Sequence, residues 1–270
     1  KFKITKGLWK NKFLWDLYKD AHTPFQWHKD AFALAKKLKI TLFSSPFSKR
    51  AVDLLESFNV KLYKISSFEL TDLELIDYIA KKRKPIIIST GMANIKEIKK
   101  ALSCITKYHK KIIILYCVSG YPSKEKDINL NTIKKFKKIF KGYKIGLSDH
   151  TNDILTSLAS TVLGVTLIEK HFIVSKKIRS PDKDFSIDCS QLRQLRNGIK
   201  KIYLSLGVEK IGLKKIEKDS IKLRRSIFTK KNIKKGDFFK RDNICNLRPS
   251  IGINSENYKK ILGKKAKKDI

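Results

Sequence analysis

Six short apolar runs recur along the chain: ITLFSS from Ile40, KLYKISS from Lys61, PIIIST from Pro85, KIIILYCVS from Lys111, KIGLSD from Lys144 and VTLIEKH from Val165. Each is rich in β-branched residues and bounded by polar ones, which predicts a strand. Between them, apolar residues return every three to four positions, as in AVDLLESF, ANIKEIKKALSCITKY and TIKKFKKIF, and these stretches predict amphipathic helices. Strand, loop and helix in repeated succession make a parallel α/β sheet. The near-continuous apolar character of the strands agrees, since such a sheet is covered on both faces.

An open doubly wound sheet and a closed (β/α)8 barrel both produce that alternation, and the polar residues distinguish them. Almost every run ends in hydroxyl, acid or imidazole groups: Ser44 and Ser45, Ser66 and Ser67, Ser89 and Thr90, Ser119, Ser148 to His150, and Glu169 to His171. A barrel assembles its site from all its strand ends. An open sheet concentrates its site at one switch point and usually carries a Gly-rich fingerprint, absent here. Six strands are two short of eight. The residues before Ile40, including LWDLYKDAHTPFQWHKDAFALAKKLK, read as loop and helix, and the chain begins with Lys1. The expectation is therefore an α/β TIM-type barrel lacking its first two strands, over residues 1–207. Its last helix, SQLRQLRNGIKKIYLSLG, would be capped by Ser190 and stopped at Gly207. A lysine-rich linker over 208–223 and a small β-rich domain over 224–270, with Gly236-Asp237 as a turn, complete the organisation.

Charge changes this picture little. The formal net charge is +36, from 61 basic and 25 acidic residues in 270. The lysines are dispersed from end to end and no RNA-binding aromatic signature, zinc finger or arginine-rich arm accompanies them, so no specific nucleic-acid partner is expected. A basic surface would still attract anionic substrates. Four separated cysteines with no C-x-x-C pair argue against a disulfide framework or a cysteine zinc site and suit a cytoplasmic location. No apolar run approaches the ~18 to 20 residues of a membrane span, so no membrane association is expected.

Two of the five histidines, His150 and His171, end consecutive strands, in SDH and EKH. Neighbouring strands would bring both imidazoles to one barrel mouth, leaving coordination positions open for water and substrate on a divalent metal. Asp149 and Glu169 are placed to orient them. Ser45, Ser67, Ser89 and Ser148, with Lys64, form a second group suited to a phosphate and a carboxylate. His22 and His28, near the helix that carries Trp27, read as packing residues.

In this order, FSSPF, YKISSFE, ISTGMA, CVSGYP, GLSDHT and IEKHF resemble the sialic-acid synthase family. The likeness continues through SPDKDFS into RRSIF, IKKGD, RPSIGI and ILGKKA, the last part resembling that family's antifreeze-like (SAF) C-terminal domain. LWDLYKDAHTPFQWH and CVSGYP are most similar to its pseudaminic acid branch. The resemblance implies condensation of phosphoenolpyruvate with an N-acetylated amino-sugar aldehyde to a nine-carbon nonulosonic acid, with loss of phosphate. It implies Mn²⁺, or Mg²⁺ or Co²⁺, on His150 and His171, and phosphoenolpyruvate contacts at Lys64, Ser67, Ser89 and Ser148, with Ser45 and Ser119 at positions that vary. Glu69, Tyr121 and Asp182 match groups around the sugar. Arg248 matches an arginine given to the partner subunit's site in a domain-swapped homodimer. The family's N-terminal glutamate and Lys-x-Gln-type motif are absent, and Ser180 stands where a glycine is usual. N-acetylneuraminate or legionaminic acid synthesis is the rival within enzymes; an inactive remnant or a basic binding protein is the rival outside them.

Overall fold

Side-chain caps set the rhythm of the chain in this computed structural model, which describes residues 2–270. Ser48, Asp72, Asn94 and Asp188 each accept a first-turn backbone N–H, opening α3 (Lys49–Ser57), α4 (Leu73–Ala80), α5 (Ile95–Thr106) and α9 (Cys189–Leu206). Such a cap is worth about 1 kcal/mol. Asp188 with Gln191 forms the box on α9, so the expected cap Ser190 lies inside the helix; an aspartate two residues earlier leaves more of the amphipathic run helical. The remaining helices are α1 (Leu14–Ala21), α2 (Trp27–Leu38), α6 (Glu125–Ile128), α7 (Thr132–Ile139) and α8 (Leu155–Val162).

Five strands, β1 (Tyr63–Ile65), β2 (Ile86–Ser89), β3 (Ile112–Cys117), β4 (Lys144–Asp149) and β5 (Ile168–Lys170), pair in chain order, all parallel. The run from Ile40, expected as a further strand, is irregular and Ile40 is exposed. Among the described residues no ladder bond joins it to β1. Phe43 packs against the main core, but β-branched composition favours a strand only where a neighbouring strand receives it, and here no ladder partner is described.

Register divides the sheet into two chemically different faces. Tyr63, Ile65, Ile86, Ile88, Ile112, Ile114, Ile145 and Leu147 share one face and pack on Ile76 and Ile79 of α4 and Ile98 and Ile105 of α5. Full burial of each such isoleucine contributes about 1.5–3 kcal/mol. The alternate positions, Lys64, Ser89, Cys117, Ser148 and Glu169, share the opposite face through the pairings Lys64↔Ile87, Ser89↔Leu115, Cys117↔Ser148 and Ser148↔Glu169.

The chain divides after Gly207, and Val208–Ile270 forms a second compact unit. It holds an antiparallel pair, β6 (Ser226–Thr229) and β7 (Ile244–Leu247), the short α10 (Tyr258–Ile261), and a core of Ile233, Ile244 and Ala266. Residues 208–223, read as a linker, include 3-10 turns at Lys215–Glu217 and Asp219–Leu223, and Ser250 N–H donates to Lys222 O at 2.9 Å. That end of the segment is held by the small unit. No helix among the described residues is long and apolar enough to cross a membrane, and all four cysteines are free thiols.

Candidate active site

The polar face of the sheet opens into a cavity of about 620 Å³ at the C-terminal ends of the strands. Lys64, Ser89, Ser148 and Glu169 line it because strand alternation turns them there. The loops after the strands add Ser67, Glu69, Tyr121, His150, His171 and Asp182, and Ser45 comes from the irregular run. Ser119 is not among the lining groups. Its hydroxyl lies 3.9 Å from Cys117 Sγ, beside Gly91, where any Cβ would stand 2.0 Å from Ser119 Oγ and 2.9 Å from Ser67 Oγ. A side chain at Gly91 would displace these hydroxyls, and the Gly91 N–H donates to Ser67 Oγ at 3.0 Å.

His150 and His171 sit with ring centroids 5.2 Å apart. His150 Nδ1 is 3.1 Å from Val118 O, and His171 Nδ1 is 3.0 Å from Asp182 Oδ2. These partners occupy Nδ1 and leave each Nε2 without a hydrogen bond among the described residues. Burial, reinforced by the neighbouring His171, pushes the His150 pKa down to about 4. The ring is therefore neutral near pH 7, the form that ligates metal. Two imidazoles, each with Nδ1 held by a carbonyl or a carboxylate, fit a divalent ion through Nε2. No group of three or more His, Cys, Asp or Glu among the described residues is arranged to hold one, so the protein would supply these two ligands.

Asp149 and Glu169 do not orient the imidazoles, contrary to the sequence reading. Asp149 pairs in register with Lys170 on the helix-covered face, so its carboxylate points away from the cavity. There it forms a buried ion pair with Lys170 Nζ at 3.1 Å and accepts from Thr151 Oγ1 and Ser157 Oγ at 2.8 and 2.5 Å. Burial lowers the Lys170 pKa against the pull of Asp149. Asp182 and the Val118 carbonyl take the orienting role instead, and Ser180 Oγ accepts the Asp182 N–H at 3.3 Å.

Glu169 is the hub of the hydroxyl-lined rim around Lys64. Ser148 Oγ donates to it at 2.6 Å, Ser89 Oγ at 3.5 Å, and Lys64 Nζ approaches to 3.6 Å. Burial lowers the Lys64 pKa, opposed by Glu169. Glu69 accepts from Ser66 Oγ. Tyr121 lies on His150 with centroids 4.5 Å apart, and burial raises its phenol pKa to about 12, so it stays a hydrogen-bond donor.

Sequence reasoning missed Phe185 and Trp9. Phe185 is fully buried and packs edge-on against His171 at 4.7 Å. Trp9 lines the cavity, 5.6 Å from Tyr121, and Nε1 donates to Pro181 O at 3.2 Å. The signal was an isolated aromatic in the polar GLWKNK turn. His28 is buried between Phe25 and Phe58, whereas His22 is exposed and its Nδ1 lies 2.7 Å from Lys19 O in the last turn of α1. Arg248 belongs to the small unit, where it lines a cavity with Arg224 and Arg225.

The profile of the NeuB family matches residues 1–211. The chain belongs to the NeuB family. This NeuB-family chain is 44% identical over 270 residues to pseudaminic acid synthase of Helicobacter pylori, covering 99% of the chain and 79% of that protein. Pseudaminic acid synthase of Campylobacter jejuni serotype O:2 is 39% identical over 272 residues, covering 100% of the chain and 78% of the relative. Among solved structures, the N-acetylneuraminic acid synthetase of Leptospira borgpetersenii, crystallised with citrate, superposes with a TM-score of 0.69 at 30% identity, covering 76% of this chain and 72% of that one. The parallel sheet of this NeuB-family chain is the TIM-barrel-like α/β architecture of the sialic acid synthases.

Proposed function

We propose that this chain condenses phosphoenolpyruvate with the open-chain aldehyde of 2,4-diacetamido-2,4,6-trideoxy-altrose, giving pseudaminic acid and phosphate. The carrying observation is the division of one cavity into a cationic, hydroxyl-lined rim around Lys64 and a neighbouring pair of imidazoles. Lys64 offers the cation, and Ser45, Ser67, Ser89 and Ser148 the hydroxyls, for the phosphate and carboxylate. Glu69, Tyr121 and Asp182 line the same cavity and would face the sugar. His150 and His171 would hold a divalent ion, Mn²⁺ first, which when bound polarises a carbonyl oxygen. Carbon 3 of phosphoenolpyruvate attacks the aldehyde carbon, water adds at carbon 2, and the phosphate departs with its bridging oxygen. The proposed enzyme is a TIM-type barrel of which this chain carries five paired strands, with an SAF-type small domain and a cytoplasmic setting.

The test incubates the full chain with phosphoenolpyruvate, the diacetamido sugar and Mn²⁺ while phosphate and keto acid are quantified. Equal amounts of both are expected. Sugar-independent phosphate release, or none, would remove the reading.

Arg248 completes the proposal. Its guanidinium makes no ion pair among the described residues, and its directional donors suit an N-acetyl oxygen in the partner subunit's site. Mixing inactive Arg248→Ala and His150→Ala chains under subunit exchange should restore up to about half the activity per mixed dimer, as an exchanged element requires. Verified exchange without recovery would refute an arginine acting in trans.

A further inference from the structure

We infer that the segment ahead of the sheet selects the sugar, with Trp9 as the specificity-determining residue; this rests on the reaction proposed above. The cavity is chemically two-sided. Besides the Lys64 rim, its lining takes in Phe2, Ile4, Trp9, Leu14, Leu17 and Tyr18, all in or just before α1. No sheet residue contributes to that wall, and most of it is apolar. A sugar rich in hydroxyls gains little there, whereas a methyl at carbon 6 and the methyls of two acetamido groups can be desolvated against it.

Trp9 is the member of this wall that is coupled to the reacting groups. Its indole lies 5.6 Å from the Tyr121 ring, which lies 4.5 Å from His150. Its Nε1–H donates to the carbonyl of Pro181, the residue before Asp182, and Asp182 holds His171. The indole is therefore set at a defined position beside Tyr121, one ring removed from the imidazole pair, within reach of a sugar whose aldehyde lies at that pair. Phe185 supports the same ring edge-on at 6.4 Å.

The experiment measures kcat and KM for two sugars, the 6-deoxy diacetamido compound and its analogue with a hydroxyl at carbon 6, in the full chain and three variants. Wild type should prefer the deoxy sugar by about 10- to 200-fold, the range one apolar contact provides. Trp9→Ala should lose most of that preference, chiefly through KM for the deoxy sugar, while KM for phosphoenolpyruvate stays within about twofold. Trp9→Gln keeps a donor for Pro181 O without the aromatic face, and should also lose the preference even if the alanine variant does not fold. Trp9→Phe should retain it. Equal losses for both sugars, or a Trp9→Phe variant as unselective as Trp9→Gln, would overturn the assignment. Absence of product from wild type with either sugar would instead remove the underlying reaction, and this inference with it.

Discussion

His171→Ala is expected to lower condensation by at least about a hundredfold, with activity that added Mn²⁺ does not restore. On the reading proposed above, the site would offer a metal two protein nitrogens, so removal of one would take half of the protein's hold on it. Asp182→Asn should behave differently. It keeps the hydrogen-bond geometry at His171 Nδ1 but removes the charge, and loss of such a partner costs about 10- to 100-fold in metal affinity. Saturating metal should therefore rescue the asparagine variant and not the alanine variant. Rates measured across a metal titration, after chelation, separate the two behaviours. His171→Ala fully active in excess chelator would show that the imidazole pair does something other than hold metal.

The fold and much of the site were legible because parallel strands repeat one chemical rule. Buried runs ending in polar residues place those residues on one rim, and Ser89, Ser148, His150 and His171 arrive where that rule puts them. What failed needed parity and long-range contact. Asp149 sits beside His150 in sequence, yet a one-residue step along a strand turns it to the other face, where Lys170 neutralises it. The apolar wall around Trp9 comes from an N-terminal segment that meets the cavity only in the folded chain; its hydrogen bond to Pro181 spans 172 residues. No periodicity announces such a contact. The run from Ile40 has strand composition without a strand, since composition does not say whether a ladder partner is present.

Lys64→Met is expected to raise KM for phosphoenolpyruvate and to reduce kcat/KM by about 30- to 4,000-fold, with the sugar KM little changed. Lys64 is 5% exposed, and its Nζ is held by Ile65 O at 3.1 Å and by Glu169 at 3.6 Å. Desolvated in this way, its charge acts on an incoming phosphate or carboxylate through protein more than through water, and truncating one partner of such a pair costs about 2–5 kcal/mol. Methionine keeps the unbranched stem, so the packing of β1 survives and the loss reports on charge. Glu169 would then face the anionic substrate uncompensated, which adds repulsion to the missing attraction. The pH response carries the same signature with a definite sign. Burial lowers the Lys64 pKa, so the cation is lost on the alkaline side at a pH below the ordinary lysine range of about 10.4. Phosphoenolpyruvate binding should weaken as pH rises through that point in wild type, and this step should be missing from Lys64→Met. Binding measured by calorimetry from neutral to alkaline pH, with circular dichroism to verify folding, decides it: an alkaline limb of equal size in the methionine variant would mean that another group supplies the charge.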